Sequence, residues 1–236
     1  MVFALGSIIS CYTNPSDKKQ SNPPKAALLD GLVDHPNTEL VSRTSSVLTK
    51  KGFFFDIYRG KDLTVGLLKD LPTLGYELII IRVHSGPLIK ILPNGTKTAS
   101  NDIVIFTNEH YESSKYLDDQ LDGRIVKGVL ENEGAFFAIT PSFLRAIQAR
   151  FNNTTVILEA CYGFRGTSML EALRSRGVGT IAGWDGEVSV SYADEVVINI
   201  VDKVYGRGAT LEQAVEACRK DIGRDPYYGS ALRVFP

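Results

Sequence analysis

The sequence has few cysteines, few histidines and no excess of charge of either sign. Its 236 residues include three cysteines and three histidines, and 26 basic side chains balance 27 acidic ones, for a net charge of −1. Cys11, Cys161 and Cys218 have neither paired nor metal-type spacing, so we expect no disulfide framework, no metal site and a reducing compartment. The balanced charge argues against nucleic acid as a partner. No cofactor is predicted.

The N-terminal segment, residues 1–24, is predicted to be a flexible or apolar lead into the folded part. Its first residues, MVFALGSIISC, resemble the junction at which bacterial and archaeal lipoproteins are cut and lipidated. However, no basic residue precedes this apolar run, and the run is too short to span a bilayer. We therefore expect a cytoplasmic protein, with a membrane-anchored or secreted lipoprotein attached through Cys11 as the alternative.

From Lys25 onward, strand-like and helix-like segments alternate, which predicts a single domain over residues 25–236. Predicted strands are 26–32, 53–59, 76–86, 102–109, 134–140, 154–160, 178–184 and an edge strand at 231–236; predicted helices are 36–52, 64–75, 141–151, 167–177, 191–208 and 210–223. The run Leu-Ile-Ile-Ile within residues 76–86 does not alternate in polarity, so both faces of that strand should be covered. The fold class is therefore α/β, in three layers, with a mostly parallel central sheet and helices on both faces.

A polar stretch interrupts this alternation at about residues 110–133, and we interpret it as an exposed insertion with short elements. It contains Lys115, Arg124 and Lys127.

The candidate chemistry lies at the ends of two apolar strands. His84 lies near the end of the segment ELIIIRVHSG, and Cys161 lies near the end of the segment VILEACYG. In parallel sheets the functional site lies outside the carboxyl ends of the strands, so neighbouring strands would bring the two side chains together. A nearby imidazole, or the helix that begins near Thr167, would lower the pKa of the thiol. The thiolate would attack a carbonyl carbon while the imidazole transfers protons.

The developing oxyanion would be held by backbone N–H groups of Cys161, Ser85 and Gly86. Glycine at positions 86 and 163 suits a close approach of substrate to the backbone.

The motifs HSG and EACYG resemble motifs of the caspase-fold cysteine peptidases. This group includes caspases, metacaspases, separase, clostripain, gingipains and CHAT-domain proteases. Ala160, Cys161 and Gly163 match the A-C-x-G core of that group. The stretch from Gly177 to Asp221 resembles the CHAT pattern of a strand, a Trp-containing loop and two helices. The resemblance covers residues 25–235 in element order. It implies a cysteine endopeptidase with Cys161 as nucleophile and His84 as base.

One residue departs from the pattern of this group, because in most of these enzymes a glycine directly follows the catalytic histidine. Here Ser85 intervenes before Gly86. Because the group also contains inactive members, a scaffold that binds protein partners remains the alternative to an enzyme. A nucleotide-binding α/β domain ranks last, since no Gly-rich loop opens a helix after the first strand.

The resemblance also suggests a substrate preference. In caspases, basic residues after the first strand and after the Trp loop select an acidic side chain. Here those places hold acids, and Trp184 is expected to form a pocket wall; the predicted substrate-binding residues are Asp30, Asp34, Trp184, Asp185 and Glu187. This charge inversion predicts cleavage after Arg or Lys of a protein or peptide. Since enzymes of this group often mature by cutting themselves, the basic residues of the polar insertion also suggest self-cleavage, after Lys115, Arg124 or Lys127. In the other interpretation, Asp30 and Asp34 are turn residues and Glu187 opens a helix.

Overall fold

The computed structural model describes residues 22–131 and 133–236, and within these ranges it contains ten strands and seven α-helices. The strands are β1 (Lys25–Asp30), β2 (Phe54–Arg59), β3 (Leu78–Arg82), β4 (Ser85–Ile91), β5 (Lys97–His110), β6 (Ile125–Leu130), β7 (Gly134–Ile139), β8 (Thr154–Glu159), β9 (Val178–Trp184) and β10 (Leu232–Phe235). The helices are α1 (Thr38–Lys50), α2 (Val65–Asp70), α3 (Leu117–Leu121), α4 (Pro141–Ala146), α5 (Ser168–Ser175), α6 (Val190–Val201) and α7 (Leu211–Asp221).

The central sheet has six strands in the order β10-β9-β8-β3-β1-β2, and only β10 at its edge runs antiparallel to its neighbour. Successive residues of its inner strands enter opposite cores. Ile79 and Ile81 of β3 pack into one core, whereas Leu78 and Ile80 pack into the other. Each such side chain contributes about 1.5–3 kcal/mol by leaving water, which explains why the central strands are apolar on both faces. The predicted mostly parallel sheet is confirmed.

Helices cover both faces of this sheet and complete three layers. On one face lie α1, α6 and α7, which bury residues such as Leu40, Val197 and Ala214. On the other lie α2, α4 and α5. The side chain of Asn37 caps α1 by accepting the Leu40 N–H at 2.9 Å. A single π-helical turn, Asp202–Gly206, extends α6.

A second, antiparallel sheet with the order β4-β5-β7-β6 packs against the same face as α2, α4 and α5. The segment 110–133 contributes α3 and β6 to this region, and β6 pairs with β7 along its whole length. Gly128 is required in β6 because a Cβ there would lie 2.3 Å from the ring of Phe106. Strands β4 and β6 were missing from the predicted elements.

Most of the predicted N-terminal lead, residues 1–24, lies outside the described residues. Cys11 belongs to this part of the chain. Within the described ranges, no helix combines the length and apolar character that crossing a membrane requires.

Candidate active site

The pairing of β3 with β8 brings His84 and Cys161 to the same edge of the central sheet. The last paired residues of these parallel strands are Arg82 and Glu159. His84 and Cys161 each follow two residues later, so the strand register places them side by side. Both line one small pocket, whose other lining residues are Leu32, Val83, Glu159, Ala160, Val188, Val190 and Ala193. The two side chains thus border one pocket at this edge of the sheet.

Hydrogen bonds fix the two segments that follow these strands. The Val83 N–H donates to the Glu159 carbonyl at 3.2 Å and continues the β3–β8 pairing by one step. The hydroxyl of Ser85 donates to the carbonyl of Cys161. The serine that departs from the family pattern therefore ties the histidine segment to the cysteine segment.

The turn after Cys161 is held in an unusual conformation. Tyr162 has φ = +59°, in the left-handed region that non-glycine residues seldom occupy. Its N–H donates to the Gly186 carbonyl at 2.7 Å, and its hydroxyl donates to Glu187 at 2.6 Å. At Gly163 a Cβ would lie 2.9 Å from the Leu158 side chain, so glycine is needed there for packing under the turn. Contacts from the loop after β9 thus maintain the strained turn.

The surroundings of Cys161 favour the thiol over the thiolate. Burial raises the pKa of Cys161, and the negative charges of Glu187 and Asp225 raise it further. The sulfur lies 3.8 Å from the carbonyl oxygen of Val188. The predicted helix near Thr167 is α5, with Thr167 at its N-cap, but the expected lowering of the Cys161 pKa is wrong, because burial raises it.

The imidazole of His84 lines the same pocket as the thiol of Cys161. Its side chain is 34% exposed, and burial lowers its pKa, against an opposing effect of the Glu133 carboxylate, whose oxygen lies 3.7 Å from Nε2. A lowered imidazole pKa and a raised thiol pKa both favour the neutral pair over a thiolate–imidazolium pair. In the described part of the chain the two groups share no direct hydrogen bond, so the proton would move when a substrate draws them together.

The backbone groups predicted to hold the oxyanion lie around this pocket. The N–H of Cys161 makes no backbone hydrogen bond within the described residues. Ser85 and Gly86 begin β4, and the space where a Gly86 side chain would lie is open to 4 Å. Neither Ser85 nor Gly86 lines the pocket, and their part in holding an oxyanion stays a prediction.

Beneath the pocket lies a buried charge cluster that sequence reasoning missed. The guanidinium of Arg82 is fully buried; its Nη1 donates to Asp30 at 2.7 Å, and its Nε donates to Asp194 at 2.7 Å. Asn37 also donates to Asp194, at 2.7 Å. A fully buried arginine requires such partners.

Glu159 is the least satisfied member of this cluster. Its side chain is 2% exposed and forms part of the pocket wall. One oxygen lies 3.3 Å from Nε of Arg82, yet neither oxygen makes a hydrogen bond of good geometry within the described residues. Burial, reinforced by Asp194, raises the pKa of Glu159 well above its ordinary value. The only sequence signal for it was a charged residue inside the apolar run before Cys161.

The five predicted substrate-binding residues surround the pocket without lining it. Asp30 pairs with Arg82, and Asp185 accepts hydrogen bonds from Arg233 and the Ala231 N–H. Glu187 accepts the Tyr162 hydroxyl, and Trp184 is fully buried in the core. Asp34 is exposed and close enough to His84 to raise the pKa of the imidazole.

The described residues contain no cluster of three or more His, Cys, Asp or Glu side chains arranged to hold a metal ion. Cys218, in α7, is buried and belongs to the core.

Comparison with known proteins gives a likeness of fold. No protein-family model matches the sequence, and no curated protein matches it. Among solved structures, the chain is similar to the Arg-specific cysteine proteinase gingipain R, with 10% identity and a TM-score of 0.51. That match covers 86% of this chain but only 43% of the gingipain R chain, so this chain spans less than half the length of its neighbour. Protein GSU0716 from Geobacter sulfurreducens also matches, with 11% identity, a TM-score of 0.44 and coverage of 90% and 93% of the two chains.

The likeness to gingipain R and the layered architecture define a caspase-like fold. The resemblance of the sequence to CHAT-domain proteases in particular stays a prediction.

Proposed function

We propose that this protein is a cysteine endopeptidase in which Cys161 is the nucleophile and His84 is the general base and acid. The observation that carries this proposal is the position of both side chains in one pocket at the carboxyl ends of adjacent parallel strands. The caspase-like fold is compatible with this chemistry, although a fold alone does not establish an activity.

The mechanism follows from a neutral resting pair. A peptide bound beside the pocket brings its carbonyl carbon to Sγ of Cys161. The imidazole takes the thiol proton as the C–S bond forms, and the free Cys161 N–H stabilises the oxyanion. Collapse of the tetrahedral intermediate breaks the C–N bond, and the imidazolium returns the proton to the leaving amine. Water, deprotonated by His84, then hydrolyses the thioester.

Labelling tests the nucleophile. A peptidyl thiol-directed inhibitor should modify the wild-type protein and the Cys218→Ala variant, since Cys218 is buried in α7, but not Cys161→Ala. Peptide hydrolysis should be lost in Cys161→Ala and reduced at least about a hundredfold in His84→Gln. Absence of both labelling and hydrolysis in the wild type, under reducing conditions, would favour the alternative of a non-catalytic scaffold.

We also propose that the substrate residue entering the pocket is Arg or Lys. The carboxyls that support this preference are those below the pocket, where three acids, Asp30, Asp194 and Glu159, face the buried guanidinium of Arg82 and the more exposed one of Arg59, which lies 4.0 Å from Asp30. An incoming guanidinium or ammonium group would provide the hydrogen-bond donor that Glu159 lacks and would favour its ionised form.

Matched peptides ending in Arg, Lys, Asp and Ala before the reporter group test this preference. The ratio of kcat/KM for the Arg peptide over the Ala peptide should exceed one and should fall about tenfold in Glu159→Gln, which removes the charge and keeps the shape. Glu212→Gln is the comparison variant, because Glu212 is exposed on α7 and does not line the pocket. Faster cleavage after Asp, or an unchanged ratio in Glu159→Gln, rules the preference out.

A further inference from the structure

Two neighbouring tyrosines stand in solvent beside the candidate active site. Tyr227 is 81% exposed and Tyr228 is 49% exposed. Their rings contact each other edge to face, with centroids 4.8 Å apart. Aromatic side chains carry large apolar surfaces, and adjacent exposed rings on one loop are typical of binding surfaces.

The loop that carries these rings is rigidly anchored. Asp225 is 2% exposed, and its Oδ1 accepts the N–H groups of both Tyr227 and Tyr228 at 2.7 Å. Its Oδ2 accepts the N–H and the hydroxyl of Ser189, each at 2.7 Å. Ser189 caps α6, so the tyrosine loop is fastened to the start of that helix. The rings are therefore presented before any ligand binds, which reduces the entropic cost of binding.

An open groove connects the tyrosines with the site. Its lining includes Tyr227, Tyr228, Pro36, Val188 and Val190. Val188 and Val190 also line the pocket of His84 and Cys161, and the Val188 carbonyl lies 3.8 Å from the sulfur. A chain that crosses the thiol can therefore continue into the groove.

Two of the polar side chains in the groove are already engaged, whereas His35 and Ser191, which also line it, make no side-chain hydrogen bond within the described residues. Asp194, at its base, is held by Arg82 and Asn37, and the hydroxyl of Ser189 donates to Asp225. What the groove offers to a ligand is chiefly apolar and aromatic surface. This chemistry fits a side chain with a flat ring or a large apolar group.

We propose that the groove is a substrate subsite that binds an aromatic side chain of the peptide next to the cleaved residue. This inference rests on the proposed peptidase function and adds a second determinant of its specificity. The rings of Tyr227 and Tyr228 supply the aromatic part of its lining, and Pro36, Val188 and Val190 supply the remaining apolar part.

Binding without turnover provides the first test. In the Cys161→Ala background, the affinity of peptides with Phe, Trp or Ala at each flanking position is measured by fluorescence anisotropy. One flanking position should favour the ring over Ala by about tenfold, and the double substitution Tyr227→Ala/Tyr228→Ala should remove that difference. Phe54→Ala is the matched control, because Phe54 is 61% exposed on β2 and should leave the difference unchanged.

Turnover provides the second test. In the wild-type background, kcat/KM for the aromatic peptide should fall about tenfold in the double variant, whereas the Ala peptide should be cleaved as before. Equal affinities for ring and Ala peptides at every flanking position, or a difference that survives the double substitution, overturns the subsite. If the ring preference in binding appears but the wild type cleaves no peptide, the groove stands and the peptidase function fails.

Discussion

At the residue scale, the chemistry of the site depends on the protonation balance of one imidazole. Burial lowers the pKa of His84 and the carboxylate of Glu133 raises it; of the groups near the ring, Asp34 also raises it and His35 lowers it. Glu133 is the carboxylate paired with the ring, with an oxygen 3.7 Å from Nε2. In the proposed mechanism, a carboxylate in this place would stabilise the imidazolium formed when the thiol gives up its proton.

Substitution of Glu133 should therefore be visible in the titration of His84. In Glu133→Gln the charge that stabilises the imidazolium is lost, so the pKa of His84 should fall further below its ordinary value. With only three histidines in the chain, NMR titration of the ring protons can follow each one, with His84→Gln providing the assignment. The value of kcat should fall several-fold, with KM little changed, because the charge develops in the transition state.

The turn between β6 and β7, which carries Glu133, also provides the control for this experiment. Glu131→Gln removes an exposed carboxylate from the turn between β6 and β7 and should leave the His84 titration and kcat unchanged. Glu133→Asp, which keeps the charge, should restore part of the effect. An unaltered His84 titration in Glu133→Gln would show that the ion pair does not act on the imidazole in solution.

At the element scale, the sequence predicted the elements that carry the dyad. Strands β3 and β8 are long apolar runs that end in polar residues, a pattern that specifies buried parallel strands and the edge where they end. The edge strand at the C-terminus was also predicted and is confirmed as β10. For β3 and β8 local composition was enough, because burial on both faces leaves little choice of side chain.

The second sheet could not be predicted from the sequence pattern, and the reason is physical. In strand β6, apolar and polar residues alternate irregularly, and Val129 is exposed. Glycine is required at position 128 only because the ring of Phe106 lies against it across the sheet. Strand β4 contains Gly86 and Pro87, residues that normally weaken a strand. Their structure depends on neighbours distant in sequence, so no local rule could identify them.

The charge cluster illustrates the same limit within the site. Arg82 and Asp194 are 112 positions apart, and only the packing of α6 against the end of β3 joins them. The sequence showed Asp30 as an acid free to bind substrate, whereas the fold gives that carboxylate an internal partner. Position along the chain could locate the carboxylate but could not reveal what neutralises it.

At the scale of the whole molecule, the proposed self-cleavage depends on which basic residues a second copy of the protein can reach. A peptidase acts on extended chain that is free of secondary structure. Lys127 lies within β6 and pairs with Phe137 in β7, and the carbonyl of Arg124 accepts the Thr140 N–H at 3.0 Å. Lys115 lies in an exposed turn before α3, outside any helix or strand; its N–H donates to the Glu112 carbonyl at 3.1 Å, and its ammonium group pairs with Glu109.

We therefore expect cleavage between molecules, at Lys115 and not at the other two positions. Catalytically inactive Cys161→Ala protein, incubated with a small amount of wild type, should be cut after Lys115, as mass spectrometry of the fragments would show. Lys115→Gln should make the inactive protein resistant, whereas Lys127→Gln, the matched control in the paired strand, should be cut at the wild-type rate. Because an ordered strand must open before it can be cleaved, a cut after Lys127 as fast as that after Lys115 would contradict the structural argument. Inactive protein that stays whole beside a wild type active on peptides would remove self-cleavage altogether.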